Sequence, residues 1–175
     1  MPCGVDTDRF KPIAREQARA ALDLPTDALL LLFPADPARP EKRHDRAQAL
    51  AQATGAQLLT LGGIAPEWVP LYVNAANAVI VPSEREGFGL AVLEALACDV
   101  PVLATPVGIH PQALDGLDGT LCARFEPSEW VEALTPHLAR ADPRVAGRTR
   151  AERFSARRMA ERVAGAWRTL VANAG

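Results

Sequence analysis

Short, almost uninterrupted apolar runs alternate with amphipathic stretches along this chain, and that alternation constrains its fold more than any other feature. The runs cover residues 29–33, 57–61, 78–81, 100–104 and, more weakly, 120–122, with Gly, Pro or Asp at their borders. Strand-length segments with no polar alternation are expected where both faces of a parallel sheet are covered. Between them lie helical patterns. Residues 14–24 are rich in Ala, Leu, Arg and Glu and stop at Pro25, and 41–54 run up to Gly55, placed as a C-terminal cap would be. Residues 90–98 form a short apolar helix, and 128–140 carry Trp130, Leu134 and Leu138 at helical spacing. The last pattern, 156–171, puts Met159, Val163, Trp167 and Leu170 on one face. This β-α-β-α order predicts an α/β fold: one Rossmann-like, doubly wound parallel sheet with helices on both faces. In such sheets ligands bind beyond the carboxyl ends of the strands, so chemistry is expected in the loops that follow them.

At 175 residues the chain has the length of one domain, spanning 1–175, and can bury a core without staples. A formal net charge of −2 gives no electrostatic reason to expect nucleic acid or an anionic membrane surface as partner. Cys3, Cys98 and Cys122 are odd in number and lack C-x-x-C spacing, which argues against a disulfide framework or a zinc site and fits a reducing cytoplasm. Cys98 and Cys122 read as packed core residues. No stretch reads as a signal peptide or a transmembrane segment. His44, His110 and His137 are scattered and read as neither ligands nor catalysts. Trp68, Trp130 and Trp167 read as helix-face packing, and the arginine-rich stretch 140–162 as a solvated helical face.

The segment most informative about chemistry is 82–96. A strand ends at Val81 and Pro82, a loop follows with Gly87 and Gly89, and a helix begins near Gly89. The glycines permit a tight turn and close approach of a ligand to backbone. The helix start offers N–H groups and the positive end of the helix dipole, which suits a diphosphate. Glu86 precedes the helix and Glu94 lies on it, so one carboxylate can meet a ligand from the loop and the other from the helix. The third glycine of a dinucleotide fingerprint is absent, since Val92 stands there, and no Walker lysine follows.

The same segment resembles the E-x7-E signature of family 4 retaining glycosyltransferases: Glu86-Gly-Phe-Gly-Leu, then Glu94-Ala, followed in order by Ala97, residues 101–105 and Gly108. The opening Pro2-Cys3-Gly4-Val5-Asp6 with Phe10 is similar to the start of that family's C-terminal domain. Arg39-Pro40-Glu41-Lys42-Arg43 stands where the family carries an arginine and a lysine for the donor diphosphate. Residues 69–77 resemble the short helix before the strand that leads into Glu86. There are departures: Cys3 for an asparagine, Pro37 at the usual arginine position, Asp99 and Ile109 for glycines, and Gln112 for a glutamate.

The resemblance implies one half of a GT-B fold, the C-terminal domain that binds a nucleoside-diphosphate sugar, with the N-terminal acceptor domain absent. Lys42, with Arg39 or Arg43, would neutralise the donor diphosphate, helped by backbone N–H groups of Phe88, Gly89 and Leu90 beside Gly87. Glu86 would face the transferred sugar and act with Lys42 and Arg39 in catalysis. Glu94 would take the ribose hydroxyls, and the base would lie near Gly62 and Gly63. No metal or other cofactor is expected, because these cations can stand in for one. The function implied is retaining glycosyl transfer in cell-envelope glycan synthesis, in the cytoplasm and, at full length, peripheral to the inner face of the membrane. A chain of this kind would be inactive without its N-terminal half, in cis or as a separate chain. A non-catalytic nucleotide-sugar-binding module and a sugar-nucleotide epimerase share the architecture and are the alternatives.

Overall fold

A computed structural model describes residues 3–173, so that Pro2 of the opening segment lies outside the described residues. In chain order the elements are α1 (Arg15–Ala21), β1 (Leu30–Phe33), α2 (His44–Thr54), β2 (Gln57–Thr60), α3 (Val69–Ala75), β3 (Ala78–Val81), α4 (Leu90–Ala97), β4 (Val102–Ala104), α5 (His110–Leu114), β5 (Leu121–Cys122), α6 (Pro127–Leu138), α7 (Arg148–Glu152) and α8 (Ala156–Asn173). All strand pairs are parallel, and the sheet order is β2-β1-β3-β4-β5.

The sheet is covered on both faces, and the pleat sorts its side chains between two cores. Leu32, Val79, Val81, Val102 and Ala104 point to one face, where Val73 of α3, Val92 and Leu96 of α4, Ala113 of α5 and Ala151 of α7 meet them. Leu31, Phe33, Ala78, Ile80 and Leu103 point to the other, against Ala47 and Leu50 of α2 and Trp130 and Leu134 of α6. The central strands are fully buried, which is why they read as continuous apolar runs. Trp130 is wholly buried and its indole N–H reaches the Arg124 carbonyl oxygen at 3.2 Å. Cys98 is buried and Cys122 half-buried, both packed in the first core.

Several sequence expectations are corrected. The helix expected from residue 41 starts at His44, because Pro40–Lys42 forms a 3-10 turn and Arg43 takes the left-handed conformation at φ 57°. The helix expected from residue 128 starts at Pro127, and Glu126 caps it, its carboxylate accepting from the Ser128 N–H at 3.5 Å. The arginine-rich stretch is a solvated face only in part: Arg140, Arg153, Arg157, Arg158 and Arg162 are exposed, while three arginines between them turn inward. Arg144 donates to the carbonyl oxygens of Ile13 and Cys98, Arg148 to those of Thr7, Phe10 and Ala97, and Arg150 to those of Gln112, Ala113 and Asp115. These guanidinium groups fasten the opening segment and α5 to the rest. Trp68 and Trp167 are exposed rather than packed. On α8 the expected apolar face is half-buried at Met159 and Val163 and open beyond, with Leu170 67% exposed. No helix among the described residues is long and apolar enough to cross a membrane.

Candidate functional site

The strand order locates the crevice. From β1 the chain leaves through α2 to β2 on one side, and from β3 it leaves through α4 to β4 on the other. The loops after these two neighbouring strands therefore diverge, and a doubly wound sheet opens there at its carboxyl end. Residues 34–43 form one wall and residues 82–89 the other, joined where the Glu84 N–H meets the Glu41 carbonyl oxygen at 2.9 Å.

Lys42, at the end of the 3-10 turn, donates from Nζ to Glu86 Oε2 at 2.6 Å, and the two side chains are only 14% and 7% exposed. The other carboxylate oxygen of Glu86 accepts from Ser83 Oγ at 2.7 Å. Ser83 is itself braced from β4, whose following residue Thr105 donates its hydroxyl to the Ser83 carbonyl oxygen. A buried ion pair of this kind is poor evidence for stability, since desolvation offsets most of the attraction. What it fixes is the direction of Glu86 at the mouth of the crevice.

The flanking arginines are engaged elsewhere. Arg39, 56% exposed, bonds Glu41 through Nε at 2.9 Å and Nη2 at 2.6 Å. Its partner's carboxyl is held below the usual range by Glu41's own backbone N–H and by Arg39. Arg43 pairs with Asp45 at 2.7 Å and also with Glu84. Of the three cations expected at a diphosphate, only Lys42 is brought against Glu86.

Helix α4 starts without a side-chain cap, from Gly89 in the left-handed conformation at φ 101°. Phe88 and Leu90 are half-buried against the first core, and Gly87 is exposed. Glu94 lies on the second turn, where burial pushes its carboxyl above the ordinary range and Arg9 opposes the shift. Arg9 is held by a bond to the Pro66 carbonyl oxygen and stands 5.3 Å over the Phe10 ring. Gly62 and Gly63 follow β2 at the same end of the sheet, and Gly62 packs on Asp36 and Pro37 of the loop after β1. All the expected residues thus gather at one end of the sheet, with Arg39 and Arg43 turned outward. A recess of about 560 Å³ lies at the opposite end, lined by Arg15, Thr26, Asn77 and Arg140 among others, and holds none of them.

Three contributors escaped the sequence reading. Ser83 lies three residues before Glu86, a local signal that could have been used. Arg9 has no local signal pointing to Glu94. His110, read as a bystander, is fully buried beside Gly89: a Cβ built on that glycine would lie 2.6 Å from the imidazole Nε2.

Residues 38–153 match the family profile described as Glycosyl transferases group 1. The chain belongs to that family. Among group 1 relatives, the D-inositol 3-phosphate glycosyltransferase of Mycobacterium avium (strain 104) is 35% identical over 180 aligned residues, covering 85% of this chain and 42% of the relative. Among solved structures, sucrose-phosphate synthase from Thermosynechococcus elongatus superposes with a TM-score of 0.76 at 26% identity, covering 98% of this chain and 52% of that one. Anabaena Alr3699/HepE, solved in complex with UDP-glucose, gives a TM-score of 0.70 at 18% identity over 95% of this chain and 56% of its own, a likeness of fold. The chain spans less than half the length of the curated relatives it matches first. Its sheet is the Rossmann-like one of GT-B glycosyltransferases.

Proposed function

We propose that this chain is the donor-binding half of a retaining glycosyltransferase that moves a sugar from a nucleoside-diphosphate sugar to an acceptor. The observation that carries the reading is the meeting of Lys42, Glu86 and Ser83 at the switch point, one loop away from the uncapped start of α4. The diphosphate settles on the N–H groups of Phe88, Gly89 and Leu90, with Lys42 as its nearest cation and Arg39 and Arg43 able to swing in from the surface. Stabilising the departing nucleoside diphosphate is then the main catalytic task, done by fixed cations and dipoles without a metal. Glu86 faces the transferred sugar, and Glu94, within the field of Arg9, accepts the ribose hydroxyls. UDP-glucose in the HepE complex makes a uridine donor the first to try.

The acceptor-binding half, and with it transfer, comes from an N-terminal domain in cis or in trans. We place the whole enzyme in cell-envelope glycan synthesis on the cytoplasmic side. Calorimetric titration of the chain with a panel of nucleoside diphosphates and their sugars tests the donor site. At least one should bind, and Glu94→Ala and Lys42→Ala should each weaken it at least severalfold, about 1 kcal/mol or more. Unchanged affinity in both variants, with the fold intact by circular dichroism, would remove the assignment.

A further inference from the structure

His110 sits where its burial needs a reason. Its Nδ1 lies 2.8 Å from the Thr105 carbonyl oxygen, which can only accept, so Nδ1 carries the proton and Nε2 is a bare lone pair. That Nε2 is buried and has no hydrogen-bond partner among the described residues. It faces Gly89, while Glu86 packs against the same turn: a Cβ built on Gly108 would lie 3.2 Å from Glu86 Cβ and 2.5 Å from the Phe88 carbonyl oxygen. The charged groups whose fields reach the ring are Glu86, from the loop after β3, and Lys42, from the loop after β1. Burial holds the ring below its ordinary titration range; the Thr105 carbonyl and Glu86 pull it up, and Lys42 pushes it down.

These three groups share one charge balance. In the ligand-free chain the ammonium of Lys42 compensates the buried Glu86 carboxylate, and His110 stays neutral. Resting on the donor-site reading above, a diphosphate at the α4 turn competes for that ammonium. Once Lys42 turns to the phosphates, Glu86 is left as a buried carboxylate without a counter-ion, an arrangement costly enough to be relieved by any nearby base. We propose that His110 is the reserve counter-charge of Glu86: as Lys42 moves to the diphosphate, Nε2 takes up a proton from solvent and the imidazolium replaces the ammonium beside the carboxylate. His110 is thus a positioning residue, holding Glu86 ionised and aimed while Lys42 serves the leaving group.

The sign follows from the balance. Removing Lys42 from Glu86, and adding phosphate charge at the turn, both favour imidazolium, so donor binding takes up protons at His110. Affinity then strengthens as pH falls through the bound-state titration, by up to about tenfold per pH unit.

The first test needs no ligand. In the ligand-free 175-residue chain, Lys42→Met imitates the departure of the ammonium, and the NMR titration of His110 should move upward by about one unit or more. In Lys42→Met with Glu86→Gln the rise should vanish. A His110 titration unmoved by Lys42→Met, or a rise that persists without the carboxylate, would overturn the proposal.

The second test uses UDP, titrated calorimetrically in buffers of different ionisation heat between pH 6 and 8. Wild type should take up a fraction of a proton more per UDP than His110→Leu does, and its affinity relative to that variant should grow about fivefold or more on acidification. The phosphate's own protonation is common to both proteins and cancels. His110→Gln serves if the leucine variant misfolds. Equal proton uptake with normal binding refutes the His110 inference alone, whereas no binding of UDP or any other nucleoside diphosphate by wild type removes the donor site and the inference together.

Discussion

Gly89 and His110 divide one small space between them, and each limits what the other can be. The glycine combines a left-handed backbone, φ 101°, with an imidazole where its side chain would stand. Gly87, two residues earlier, has neither constraint: its φ is not in the left-handed region, and a Cβ there would meet nothing within 4 Å. The two glycines look alike in sequence but answer to different physics. Gly89→Ala must both strain the backbone and displace His110, and should cost about 2–4 kcal/mol in urea unfolding together with most of the UDP affinity. Gly87→Ala should stay within about 0.5 kcal/mol of wild type. Equal costs for the two would mean that the turn is not held by the imidazole.

At the scale of elements, the arginines of the 140–162 stretch behave unlike their neighbours in sequence. Arg148 reaches three carbonyl oxygens, two of them in the opening segment, whereas Arg157 on α8 is exposed and makes no such bridge. Arg148→Ala leaves those carbonyls unpaired and should cost about 1–3 kcal/mol in chemical denaturation, with Arg157→Ala within about 0.5 kcal/mol. A neutral Arg148→Ala would restore the solvated-face reading. The contrast shows what sequence makes legible. β1 and β3 were readable because both faces are buried, so every residue carries the signal. α5 and α7, five residues each, are too short for a periodicity to show. Lys42, Glu86 and Glu94 were legible through motif spacing. The Arg148 bridges, with partners 51 to 141 residues away, and the seat of His110 against Gly89 depend on how distant segments meet, which no local pattern encodes.

At the scale of the whole molecule, two open surfaces invite the same explanation. The switch-point crevice has its cation and carboxylates in place between the loops after β1 and β3, and α8 presents Trp167, Leu170 and Val171 at 66%, 67% and 65% exposure. Apolar surface of this size on a helix is usually covered by something. If an acceptor-binding half covers it, donor binding and transfer become separable properties. The chain alone should bind UDP yet transfer no sugar, and co-expression with an acceptor-binding half should restore transfer. Trp167→Ser with Leu170→Ser removes two large apolar side chains that contribute little to the isolated fold. Its urea midpoint and UDP affinity should therefore match wild type, to within about 0.5 kcal/mol. Assembly with the other half should weaken by about tenfold or more, as loss of a tryptophan anchor does at an interface, and restored transfer should fall with it. Sedimentation and a radiolabelled-donor assay measure the two effects. Transfer by the unaccompanied chain, or assembly indifferent to both substitutions, would show that α8 is covered by nothing that matters to catalysis.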